Sequence, residues 1–106
     1  MELKEQIRRI QQMEEYLEQG RNAVAEFAEA FEKWEQAQAG IRELDRYYGS
    51  KEWLQDLEED EKGRFPGDLK RGVLSQDLVY DLLMENQALR KKMSEIDEKN
   101  QEEKED

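Results

Sequence analysis

Any chemistry in this chain starts from carboxylates, lysines and arginines, because it carries 28 Asp and Glu, 17 Lys and Arg, and neither His nor Cys. That composition removes imidazole bases, thiolate nucleophiles, disulfides and the usual zinc ligands together. Two arrangements remain that residue type and spacing single out. Glu26, Glu29, Glu32 and Glu35 recur at helical intervals, and carboxylates one turn apart can share a hard cation such as magnesium. Asp68-Leu69-Lys70-Arg71-Gly72 places two adjacent cations on a glycine-bounded turn, a patch suited to a carboxylate or a phosphate group. Lys70 and Arg71, with the paired aromatics Tyr47 and Tyr48, are therefore the candidate contacts for a partner or an anion.

The elements that must carry these residues are helical. From Leu3 to Tyr48 the apolar side chains follow a seven-residue repeat, abcdefg, with Leu3, Ile10, Leu17, Val24 and Phe31 at a and Met13, Phe27, Trp34, Ile41 and Tyr48 at d. The exceptions are Gln6, Gly20, Gln38 and Asp45, and the neighbouring line of Tyr16, Ala23, Ala30, Ala37 and Leu44 widens the stripe into a bundle-type face. One helix over about residues 2–47 follows, some ~65 Å long if unbroken. Gly20 interrupts the apolar stripe, and because the repeat passes through it without a slip the helix is expected to continue. In this register Glu26, Glu29, Glu32 and Glu35 fall at c, f, b and e, mostly away from the apolar seam. Carboxylate metal sites in helical bundles project inward from facing helices, so the register assigns no catalytic, metal or cofactor-binding residue.

Gly49 suits the left-handed residue that ends a helix, and Ser50 suits the cap of the next. A short helix is expected over about 51–59, with Trp53, Leu54 and Leu57 on one face. Tyr47 and Tyr48, adjacent on a helix, are not expected to point inward together. The acidic run Glu58, Glu59, Asp60, Glu61 and the breakers Gly63, Pro66 and Gly67 then mark an irregular loop over about 60–74. Within it Leu69, Val73 and Leu74 are expected to anchor the chain while Asp68, Lys70 and Arg71 pair with nearby charges. Ser75 and Asp77 open a last helix over about 76–97, whose seam reads Val79, Leu82, Asn86, Leu89, Met93 and Ile96, flanked by Leu78 and Leu83. Residues 97–106 carry no apolar side chain and read as a disordered acidic tail.

These elements predict an all-α fold: a long antiparallel, coiled-coil-like helical hairpin with a short connecting helix and an irregular loop, in one domain over residues 1–96. The two long helices differ in length. A last helix of about 22 residues covers only about half of its partner, which leaves the stripe Leu3, Ile7, Ile10, Met13 and Leu17 partly uncovered. Exposed apolar stripes mark interaction surfaces, so this one is the candidate for self-association.

The stretch YYGSKEWLQDLEEDEKGRFPGDLKRGVLSQDLVYDLL, from Tyr47 to Leu83, resembles a family of small bacterial proteins known as domain of unknown function 4298. The likeness extends over roughly residues 7 to 96. It is most specific in the run from Asp68 to Ser75 and in Tyr47, Tyr48, Gly49, Ser50 and Trp53, with Gln76 where the pattern has an acid. The resemblance implies the helical fold and leaves the function open.

A formal charge of −11 repels phosphate backbones and anionic lipid surfaces at long range, so neither nucleic acid nor membrane is an expected partner. The opening MELKEQIRRI has no apolar signal core, and the expected location is the cytoplasm. The function expected is that of a non-catalytic protein–protein interaction or scaffolding module, without cofactor, whose partner is another protein or a second copy. Two other readings stand beside it: a magnesium-dependent all-helical nucleotide pyrophosphohydrolase using Glu29 and Glu32, and an acidic decoy of a nucleic-acid-binding protein.

Overall fold

The structure is a computed structural model that describes residues 2–105. Three α-helices and one short 3-10 turn follow in order: α1 Glu2–Tyr47, α2 Lys51–Glu61, the turn Gly72–Leu74, and α3 Gln76–Glu105. The class is all-α, with long first and last helices and a short second one.

Helix α1 runs through Gly20 without interruption, as the unbroken repeat requires. Glu2 and Glu5 lie in its first turn and Arg46 in its last, each charge opposing the end of the helix dipole beside it. The helix stops at Gly49, whose φ of 77° lies in the left-handed region, while Ser50 N–H donates to the Tyr47 carbonyl at 2.9 Å. Ser50 then caps α2, its hydroxyl accepting from the Trp53 N–H at 3.2 Å. Helix α2 extends to Glu61, two residues past the expected stop. The acidic run is carried inside the helix because Lys62 pairs with Glu58 and Glu59 at 3.5 and 3.7 Å, and termination waits for Gly63 at φ 70°. Ser75 precedes α3 with an extended backbone. Helix α3 itself continues beyond Asp97 to Glu105. Glu, Gln and Lys are good helix formers, and Lys99 stands four residues after Glu95 and four before Glu103.

Contacts divide the chain into two units, Met1–Gln38 and Ala39–Asp106. The first is α1 alone up to Gln38. Its a and d side chains from Leu3 to Phe27 lie on the surface, Val24 at 71% and Leu3 at 68% exposure, and from Phe31 onward they are half-buried or buried except for Asp45. Phe27, Phe31 and Trp34 form a ladder of rings along this face, with centroids 6.0 and 5.7 Å apart. Gln38 is buried, its Nε2 donating to the Trp34 carbonyl at 3.1 Å.

In the second unit the turn Gly72–Leu74 packs on both α2 and α3. Trp53 and Val79 are its buried apolar side chains, at 4% and 5% exposure, and Ile41, Leu44, Leu57, Leu74, Leu83 and Met93 are half-buried. Two expected details are corrected here. Leu54 is exposed, since the inward face of α2 runs through Trp53 and Leu57 instead. The inward line of α3 is Val79, Leu83, Asn86 and Met93, rotated toward Leu83, so that Leu82, Leu89 and Ile96 stay on the surface.

Replacing Gly49 by Ala adds a Cβ that meets no atom within 4 Å, so its effect comes from the left-handed backbone alone. Urea unfolding followed by circular dichroism should show a loss of about 1–2 kcal/mol. Gly67→Ala, equally open in space but without a positive φ, should show no loss.

Candidate functional site

Helix α2 gathers the second unit through one face. Trp53, Asp56 and Asp60 stand three and four residues apart, so all three project from the same side of the helix. Trp53 is buried, and its indole Nε1–H donates to the Val73 carbonyl at 3.0 Å, tying α2 to the turn before α3. The Tyr48 ring meets the same indole edge to face, with centroids 5.4 Å apart and planes at 68°. The Tyr47 hydroxyl donates to Asp56 Oδ2 at 2.6 Å. The Arg71 guanidinium donates to Asp60 Oδ1 at 2.8 Å.

Three of the four candidate contact residues are thus held by α2: Tyr47 by Asp56, Tyr48 by Trp53, and Arg71 by Asp60. The fourth, Lys70, is exposed. Both tyrosines are half-buried and both are engaged, which corrects the expectation that only one turns inward. The bend at Gly49 and Ser50 explains it. It folds α2 back so that Tyr48 is covered by Trp53 while Tyr47 reaches the next turn at Asp56. Within the loop, Arg71 pairs with an acid as expected, but Leu69 and Val73 remain exposed. Val73 contributes its carbonyl to the indole, and Leu74 supplies the half-buried side chain.

Burial pushes the Tyr47 phenol up to about 12, assisted by its hydrogen bond to Asp56 and by the negative charges of Asp56 and Glu52. A phenol held protonated against a carboxylate is a fastening, since the neutral form alone can donate that bond. Arg71 differs from a free anion site in the same way, because Asp60 already supplies the carboxylate.

Sequence reasoning did not find Asp56, Asp60 or the Val73 carbonyl. The three-and-four spacing from Trp53 was the available signal for the two carboxylates. It was obscured because Asp60 sits in an acidic run that reads as the start of a loop. A backbone carbonyl leaves no mark in a sequence.

Along α1, Glu26, Glu29, Glu32 and Glu35 are exposed, and Glu29 pairs with Lys33 at 3.8 Å. Among the described residues, no group of three or more acidic side chains is placed to hold a metal ion. The stripe Leu3, Ile7, Ile10, Met13 and Leu17 is exposed along its whole length. Among the described residues no helix is long and apolar enough to cross a membrane.

Fold and site define an all-α helical protein in which Tyr47, Tyr48 and Arg71 are engaged by helix α2. The profile of the family described as Domain of unknown function (DUF4298) matches residues 10–96, and the chain belongs to that family. Neither a curated protein nor a solved structure matches it.

Tyr47→Phe keeps the ring and removes the donor, and denaturant unfolding at neutral pH should show a loss of about 1 kcal/mol. The sign of its pH dependence follows from a folded value above the ordinary 10.0. The bond's contribution is complete below pH 10 and disappears as pH rises through about 12, so the gap between wild type and Tyr47→Phe should close over that interval.

Proposed function

We propose that this chain is a non-catalytic helical interaction or scaffolding module whose partner is a protein, and that it binds through the apolar face of α1 over residues 3–27. The observation that carries this reading is the exposure of a continuous set of large apolar side chains on one helix face: Leu3, Ile7, Ile10, Met13, Leu17 and Val24. A helix with one apolar stripe buries it in a stable protein, and a stripe of this extent left in water is the mark of a surface that another molecule covers. The second unit has a different character. Its aromatic and charged groups are matched internally, and it gives α1 an anchored end. The module acts in the cytoplasm on this reading, which a chain without cysteine suits. Its net charge of −11 disfavours nucleic acid and lipid as partners.

Ile10→Glu with Leu17→Glu tests the reading. Both side chains are exposed, so the double variant should retain its helicity while losing the complexes that the wild-type chain forms at native abundance. Unchanged complexes with the double variant would overturn the assignment of this face.

A further inference from the structure

We propose that the molecule covering this face is a second copy of the same chain, lying antiparallel over residues 10–27 about a two-fold axis between Glu18 and Gln19. This rests on the reading of α1 as a binding face and adds the identity and register of the occupant. In an antiparallel helix pair, a residues face d residues of the other helix, and e and g residues flank the seam beside their own kind. With the axis placed here, Ile10 faces the partner's Phe27, Met13 faces the partner's Val24, and Leu17 faces the partner's Gly20. The two-fold repeats each pair.

Size and charge both select this register. A shallow apolar groove beside Gly20 is walled by Tyr16, Leu17, Arg21 and Val24. A Cβ built on Gly20 meets nothing within 4 Å, so the notch is open to a knob from outside. The partner's Leu17 is that knob, and Tyr16 lies beside the partner's Ala23, again large against small. On the other flank Glu14 meets the partner's Arg21, giving two symmetry-related ion pairs and no like-charged neighbour. Moving the partner by one seven-residue repeat in either direction brings Glu14 beside the partner's Glu14 or Arg21 beside the partner's Arg21. Like charges then face each other across the seam. A parallel, in-register pair places Gly20 against the partner's Gly20 and Gln6 against the partner's Gln6, a void and a polar layer in the same short seam.

The paired stretch also ends where it should. In this register Gln6 reaches the partner's Phe31 and Leu3 reaches the partner's Trp34, so the seam closes before Ala39, where the second unit begins. The pairing draws on the first unit alone, which has no core of its own.

Sedimentation velocity on the full chain should show a dimer at micromolar concentration. Arg21→Glu alone should weaken it by roughly three- to tenfold, as should Glu14→Arg alone, and the double exchange should restore it. In a parallel pair Glu14 would meet the partner's Arg9, and Arg21→Glu would leave the dimer intact, which would overturn the register. The chain lacks cysteine, so spin labels on Arg8→Cys and on Gln19→Cys report orientation directly. The antiparallel pair predicts a short Gln19 distance and an Arg8 separation of roughly 30 Å or more, whereas a short Arg8 distance overturns it. Gly20→Leu should raise helicity yet dissociate the dimer; higher helicity with an intact dimer counts against the notch. A monomer at every concentration overturns the second copy as occupant. If Ile10→Glu with Leu17→Glu still abolishes cellular complexes in that case, the face binds a different protein and the broader reading stands.

Discussion

The second unit depends on Trp53. Its indole is the largest apolar surface that the unit buries, its N–H donates to the Val73 carbonyl, and it meets the Tyr48 ring edge to face. One side chain from an eleven-residue helix therefore touches the end of α1 and the turn that launches α3. An isolated helix of that length is marginal in water, so α2 owes its persistence to the groups it meets. The Ser50 cap, the Tyr47–Asp56 bond and the Arg71–Asp60 pair sit before and after Trp53 on the same helix, and each fixes the orientation in which the indole is inserted. Removing water from one aromatic ring supplies the driving force, and the polar bonds around it choose one arrangement among the several that would bury it.

The two units solve the same problem differently. A small chain has little volume in which to hide apolar surface, and the second unit puts Tyr47, Tyr48 and Trp53 at a bend where its elements converge. What remains, the first part of α1, has an apolar face with nothing from its own unit to cover it. Its stability as a helix comes from local terms: good helix formers, acids in the first turn, and charge pairs such as Glu29 with Lys33. Such a segment holds its helix through these local terms, and whatever covers its apolar face adds to that stability.

Periodicity made the helices legible. The repeat from Leu3 to Tyr48 placed α1 to the residue, and Gly49 and Ser50 marked the bend because only a few residue types satisfy a left-handed stop and a helix cap. The short helix followed from the same two signals, and the start of α3 from Ser75 with Asp77 in the first turn. Rotation about the helix axis was much less legible. Leu54, Leu82 and Leu89 are as apolar as the residues that are buried, and the choice among neighbouring lines on a helix depends on which neighbour arrives, information that a single repeat does not hold. The candidate residues Tyr47, Tyr48 and Arg71 were visible as unusual, but what they do was not, because their partners Asp56 and Asp60 are two acids among 28.

That surplus of acid has a physical consequence for the exposed face. A net charge of −11 makes any two copies repel at distances beyond the local salt-bridge range, which opposes indiscriminate association of the apolar stripes. Near the middle of the stripe, Glu14 and Arg21 place charges of both signs beside the seam, so short-range attraction between two copies is available there in the proposed pairing. Repulsion over the whole surface and matching at one place act together as a filter. They leave a greasy helix face tolerable in water while confining its productive encounters to a molecule that presents both the right knobs and the right charges.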